Sequence, residues 1–161
     1  MKPDGRQGLL GEELVAPVGG QYQMLSEVSD KVFASGLMGE GYAVIPHENT
    51  IVAPVSGELV LMQRTRRAFM IRTPDRAEVL VHIGAEPGEH KGRGFTVLTE
   101  PGQQVTAGQP IVDIDWMAAN MVQPETEIMV MVTNKKDFGV RPIQDAARTV
   151  VAGEQVGNVE R

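Results

Sequence analysis

Arg67 and His82 stand on the two arms of what reads as one β-hairpin. The run Thr65-Arg66-Arg67-Ala68-Phe69-Met70-Ile71-Arg72 passes through Thr73-Pro74-Asp75-Arg76 into Ala77-Glu78-Val79-Leu80-Val81-His82. Pro74 suits the first central position of a type I turn and Asp75 the next. A loop closed symmetrically about these two residues sets Arg67 opposite His82 and Phe69 opposite Leu80. Side chains alternate with a period of two along a strand, so all four would then share one face. A bulge that moves the register by one would send Arg67 to the other face.

An imidazole beside a guanidinium suggests phosphoryl chemistry. Neutral histidine is a good nucleophile toward phosphorus, and a neighbouring cation disfavours the imidazolium form. The same guanidinium could then donate charge-assisted hydrogen bonds to the transferred phosphoryl oxygens. The spacing also allows a plainer arrangement, a strand histidine held by a backbone carbonyl with Arg67 on a solvated surface.

The elements that must position this pair are short strands. Gly and Pro total 18 and 10 and punctuate the chain at close intervals. Between them Ile51–Val55, Glu58–Met62, Phe69–Arg72, Glu78–Ile83, Pro110–Ile114 and Ile128–Thr133 carry β-branched or alternating apolar residues. Such spacing predicts an all-β fold, a compact antiparallel sandwich or barrel with a few short helices. The helix candidates are Asp30–Ala34, Asp115–Val122 and Ile143–Arg148. Residues 1–12 read as a polar N-terminal tail and 13–161 as one domain.

Two echoes suggest a duplicated strand motif. Ala16-Pro17-Val18-Gly19-Gly20 recurs as Ala53-Pro54-Val55-Ser56-Gly57, each leading into a strand. Val105-Thr106-Ala107-Gly108-Gln109 is answered more weakly by Val151-Ala152-Gly153-Glu154-Gln155. Two copies are too few for a solenoid.

Composition removes whole classes of function. Lys plus Arg is 15 against 21 for Asp plus Glu, a net charge of -6, which disfavours a nucleic-acid binder or a polybasic membrane anchor. Apolar residues reach 42%, enough for a core, but aromatics only 4%, so aliphatic residues and nine Met must build it. Absence of cysteine excludes disulfides, cysteine nucleophiles and thiolate zinc sites. Three histidines disfavour a multi-histidine metal centre, and no cofactor is expected. The first residues lack the apolar stretch of a signal peptide, and no run has the length of a membrane span, so the expected location is the cytoplasm without membrane insertion.

Val81-His82-Ile83-Gly84, Lys91-Gly92-Arg93-Gly94-Phe95 and the run Glu100-Pro101-Gly102 to Gly108 resemble the glucose-type enzyme IIA component of the bacterial phosphoenolpyruvate-dependent sugar phosphotransferase system. Upstream, Ala16-Pro17, Asp30 to Ala34, Gly39-Glu40-Gly41 and Ala53 to Gly57 stand in register, so the likeness runs from about Val15 to Val156. It implies that His82 accepts a phosphoryl group from the histidine-containing phosphocarrier protein and passes it to the IIB domain of a sugar permease. The family pattern on the neighbouring strand is Thr-x-His-Ala. Thr65 is kept, as a supporting hydrogen-bonding residue, but Arg67 replaces the second histidine. Arginine is always charged and cannot ligate zinc, so phosphoryl stabilisation is expected and a shared cation site is not.

The resemblance also implies a shallow apolar docking surface with acids at its edge. Matching positions are Phe33, Leu37, Met38 and Leu80, with Asp30 and Glu86 as the acids. Phe33 equally suits the core, whereas Leu37 and Met38 belong on an exposed loop beside glycines. His47 lies in a turn and reads as an ordinary surface residue, as does His90. The glycines at 84, 92, 94, 102 and 108 read as turn requirements, and Gly92-x-Gly94 lacks the third glycine of a nucleotide fingerprint.

Three other protein classes share parts of this pattern. A lipoyl or biotin carrier needs a lysine at a hairpin tip, and none is present. A sandwich-type zinc peptidase needs His-x-His, which does not occur. A regulatory or degenerate IIA protein, which binds partners with impaired phosphoryl donation, is favoured by Arg67.

Overall fold

The computed structural model describes residues 10–84, 92–143 and 147–161. Fourteen strands are assigned among them, and all their pairings are antiparallel. The largest sheet has eight strands. In sheet order they are β13 (Arg148–Val150), β2 (Gly20–Met24), β3 (Glu40–Pro46), β11 (Ile128–Val132), β7 (Glu78–Ile83), β6 (Ala68–Arg72), β5 (Gly57–Met62) and β9 (Gln104–Val105). Two three-stranded sheets complete the sandwich. One is β1 (Leu10–Val15), β14 (Gln155–Glu160) and β12 (Gly139–Pro142); the other is β4 (Thr50–Val52), β10 (Pro110–Ile114) and β8 (Phe95–Val97). The fold is an open sandwich, with no closed barrel. β1 takes in residues 10–12, which the sequence assigns to the tail.

Alternation along β7 explains how the site is presented. Val79, Val81 and Ile83 are fully buried in the main core, while Glu78, Leu80 and His82 are half-buried on the opposite face. β6 repeats this, with Phe69 and Ile71 inside and Met70 outside. β11 is buried on both faces. Ile128, Val130 and Val132 join the main core; Met129 and Met131 join a second cluster with Leu25, Val28 and Ala43. Phe33, Ala34 and Leu80 pack against that second cluster, so the short helix α1 (Lys31–Ala34) roofs part of the outer face.

The hairpin register differs from expectation by one residue. Ala68 faces His82 and Met70 faces Leu80. The loop holds three residues, 74–76: Thr73 N donates to Ala77 O at 2.9 Å, and Arg76 N donates to Thr73 O at 2.8 Å. Arg76 adopts φ 76, the left-handed position that ends such a loop. Phe69 therefore belongs to the core, and Arg67 falls just before β6.

Helix expectations fare unevenly. α1 (Lys31–Ala34) forms within the expected Asp30–Ala34, with Asp30 as its cap. Residues 116–120 form consecutive turns rather than a helix, with Asn120 at φ 56. Of the third candidate, Ile143–Arg148, residues 144–146 lie outside the described residues, and Arg148 opens β13.

The echoes are structural equivalences. Val15 N donates to Pro54 O at 2.8 Å and Val52 N to Pro17 O at 2.7 Å, a reciprocal pair joining the two Ala-Pro-Val turns. The second echo follows the same relation, one residue out of the alignment read from sequence. Gly108 N donates to Ala53 O at 2.8 Å and Gly153 N to Ala16 O at 2.9 Å. Both glycines have positive φ, which their turns require.

Candidate functional site

His82 stands near the end of β7, between Ala68 on β6 and Met129 on β11. Its Nδ1 lies 2.5 Å from the Gly84 carbonyl oxygen. A carbonyl can only accept, so Nδ1 carries the proton and the Nε2 lone pair is left as the reactive position. The Phe33 ring packs at 5.1 Å between centroids, tilted by 48°. Partial burial holds the imidazole below its ordinary proton affinity. The Gly84 carbonyl and Asp30 pull in the opposite direction, and the Arg67 charge adds to the lowering. The net effect keeps the ring neutral and nucleophilic.

Arg67 reaches the same place by another route than strand pairing. Its turn is closed by Arg66 N donating to Gln63 O at 2.9 Å, with Arg66 at φ 62. Arg67 O then accepts from Ile83 N at 2.7 Å, and Arg67 Nε donates to Ile83 O at 3.2 Å. The side chain is only 6% exposed, so the solvated alternative is excluded. A Cβ on Gly84 would sit 2.8 Å from Arg67 Nη2, and Gly84 has φ 74. Only glycine lets the guanidinium lie against the backbone that also holds the His82 ring. Thr65 Oγ1 is 3.4 Å from Arg67 N and 3.2 Å from Gln63 Oε1, which places it behind the turn rather than at the ring.

The other expected residues gather at α1. Asp30 caps the helix through Val32 N at 2.9 Å and Phe33 N at 3.2 Å, and its charge is felt by His82. Leu80 is half-buried and, like Phe33, packs against the second apolar cluster. Leu37 and Met38 are 66% and 39% exposed on the loop that follows, where Lys135 Nζ donates to Leu37 O at 2.8 Å. Glu86 lies outside the described residues.

Two contributors carry no clear sequence signal. Glu127 accepts from Ser29 N at 3.1 Å, Ser29 Oγ at 2.8 Å and Gln23 Nε2 at 3.1 Å, anchoring the segment that leads into α1. Its partner Ser29 is far away in sequence, so no local pattern could have revealed the contact. Met129 is legible in the sequence only as part of an apolar strand; its place beside His82, as its cross-strand partner, depends on the sheet order. Among the described residues, no three His, Asp or Glu side chains gather where they could hold a metal ion. No helix among them is long and apolar enough to cross a membrane.

A nucleophilic imidazole beside a buried guanidinium, on a face edged with apolar side chains, is suited to taking a phosphoryl group from a docked protein. A family model described as phosphoenolpyruvate-dependent sugar phosphotransferase system, EIIA 1, matches residues 12–138. The chain is 40% identical over 144 residues to a PTS system glucose-specific EIIA component of Halalkalibacterium halodurans, covering 89% of this chain and 83% of that protein. It is 39% identical over 147 residues to the N-acetylglucosamine-specific EIICBA component of Escherichia coli, covering 88% of this chain but 22% of that longer protein. The solved glucose permease IIA of Mycoplasma capricolum superposes with a TM-score of 0.78 at 31% identity, covering 91% of this chain and 94% of that one. The chain belongs to the EIIA 1 family of the phosphoenolpyruvate-dependent sugar phosphotransferase system.

Proposed function

We propose that His82 is the phosphoryl carrier of this EIIA unit, loaded by the histidine-containing phosphocarrier protein and discharged to the IIB domain of a sugar permease. The observation that carries this is the Nδ1 contact with the Gly84 carbonyl, which leaves Nε2 as the nucleophile. In loading, the Nε2 lone pair attacks phosphorus, a P–N bond forms, and the bond to the donor imidazole breaks with its electron pair returning to the donor nitrogen. With Nδ1–H still held by Gly84, the phosphorylated ring is cationic, and a cationic imidazole is the better leaving group for onward transfer. EIICBA relatives support the IIB domain as acceptor, because their names join the A unit to B and C units.

Arg67 takes the place of the family's second histidine as a cation that never titrates. Buried and pinned to Ile83, it is preorganised toward charge arriving near His82. If it binds the phosphorylated ground state more strongly than the transition state, donation slows. Arg67 at that position favours a second reading, a regulatory or degenerate IIA that binds partners with impaired phosphoryl donation. Incubation with phosphoenolpyruvate, enzyme I, the phosphocarrier and a IIB domain separates the two. The relay requires acid-labile phosphate on His82 that drains to IIB; label that stays on His82 favours regulation. Absence of label on His82 refutes the relay, and partner binding without label supports the regulatory reading.

A further inference from the structure

We infer that Glu127 is a positioning residue for phosphoryl transfer, holding the helix α1 in register with the His82 ring. This rests on the carrier reading of His82 and on the docking surface expected at α1. The helix is 4 residues long, far below the length at which a helix holds itself together in water. Its Asp30 cap orders the first turn from within. Where α1 sits over the sheet must therefore be set by contacts with the rest of the chain.

Glu127 supplies such a contact through its main chain and its side chain together. It immediately precedes β11, whose first residue, Ile128, lies opposite Ile83. Its carbonyl accepts from Gly84 N at 2.9 Å, and Gly84 O is the atom that fixes the imidazole. Its carboxylate reaches the segment before α1, where Oε1 accepts from Ser29 Oγ at 2.8 Å and from Ser29 N at 3.1 Å. Oε2 accepts from Gln23 Nε2 at 3.1 Å, and Gln23, on β2, is buried and so gives the carboxylate a fixed second support. Ser29 directly precedes the Asp30 cap, and Phe33 packs on the His82 ring at 5.1 Å between centroids. One residue thus ties the carbonyl that holds the imidazole to the segment that carries its aromatic neighbour. The apolar contacts of Leu25, Val28 and Phe33 with the second cluster are non-directional and tolerate sliding; hydrogen bonds to a charged acceptor fix a register. A protein seated on α1 presents its reacting atom where α1 puts it, and a misplacement of about 1 Å there can cost ~100-fold in rate.

The test uses the full chain with Glu127→Ala, which removes the side-chain tie and keeps the main-chain bond to Gly84. Rapid quench follows loading of His82 over a range of phosphocarrier concentrations, at pH ~7.5 where the ring is neutral. Phosphoramidate, a donor too small to use α1, reports the ring's own reactivity in parallel. With the phosphocarrier, kcat should fall about tenfold while KM and the phosphoramidate rate each stay within about twofold. Glu127→Gln keeps an oxygen for Ser29, and Gln23 can turn its amide to meet the new NH2, so this variant should recover most of the rate. Glu127→Asp, one methylene short, should not. The upfield shift that the Phe33 ring imposes on the His82 ring protons should shrink in the Ala and Asp variants and persist in Gln, as read by NMR. If Glu127→Ala does not fold, the Asp and Gln pair carries the test. Unchanged kcat in the Ala and Asp variants, an equal loss with both donors, or a loss in Gln as large as in Asp would each overturn the inference. Failure of the unaltered chain to take label from either donor would refute the carrier reading instead.

Discussion

Replacing Arg67 with glutamine isolates the charge next to His82. The guanidinium is 6% exposed, so little solvent screening weakens its interaction with a phosphoryl group on Nε2. A hydrogen bond to a charged group contributes ~1.5–3 kcal/mol, and low exposure argues for the upper part of that range. The phosphorylated fraction at equilibrium with the phosphocarrier should therefore fall by about ten- to a hundredfold. Loss of the Nε bond to Ile83 O is a separate effect, worth ~1 kcal/mol of fold stability, and a thermal melt measures it independently. The informative assay is rapid-quench transfer of labelled phosphoryl in both directions, giving equilibrium and rates together. If Arg67 holds the phosphorylated ground state, the variant loses phosphohistidine at equilibrium yet donates to IIB faster. If it acts on the transition state, both rates fall and the equilibrium stays put. Unchanged equilibrium and unchanged rates would refute any role for the charge.

Further outcomes follow from the same geometry. His82→Ala should abolish acid-labile label while His47→Ala retains it, as read by mass spectrometry. Acceptance should persist below pH ~6.5, the ordinary histidine value, because the folded ring resists protonation; Arg67→Gln should move the NMR midpoint of the ring upward. By linkage the unfolded chain takes that proton first, so stability should decline as pH falls below about 6.5 and level off once the folded ring is also protonated, a slope that His82→Ala should remove in urea titrations. Asp30→Ala removes the cap of α1, which should cost ~1 kcal/mol and weaken partner binding with little effect on the ring's own chemistry, as separated by calorimetry and a small phosphoryl donor.

How far the sequence foretold this depends on the range of the interaction. Period-two alternation in Glu78–Ile83 was enough to set His82 opposite the core, and the strands at Pro110–Ile114 and Glu78–Ile83 match their expected limits. Asp30 announced a helix start by residue type. The hairpin register was missed because a non-glycine residue, Arg76, occupies the left-handed position, a conformation that composition does not advertise. Asp115–Val122 misled because its helix-forming residues are held instead by contacts from distant segments: Asp115 N donates to Gly94 O, and Trp116 Nε1 to Asn49 Oδ1. The anchoring of α1 by Glu127 was invisible for the same reason.

The register error bears on the chemistry. Paired directly across the ladder, Arg67 would have faced His82 from an exposed strand position, where a guanidinium is hydrated and free to swing. In the actual hairpin Ala68 takes that position, and its small side chain leaves the face of the imidazole uncrowded. Arg67 is instead folded back by a left-handed Arg66, buried, and bonded to the carbonyl immediately before the one that fixes the ring: Ile83 O takes the guanidinium, Gly84 O the imidazole. A single stretch of backbone thus sets both the tautomer of the nucleophile and the position of the cation. Such coupling gives electrostatic stabilisation without reorganisation at the moment of transfer. A titrating histidine could shed its charge as the phosphoryl group departs; an arginine locked to Ile83 cannot. On the carrier reading, an Arg67 that holds the loaded ground state biases His82 toward phosphohistidine, and the equilibrium of Arg67→Gln is expected to show that bias directly.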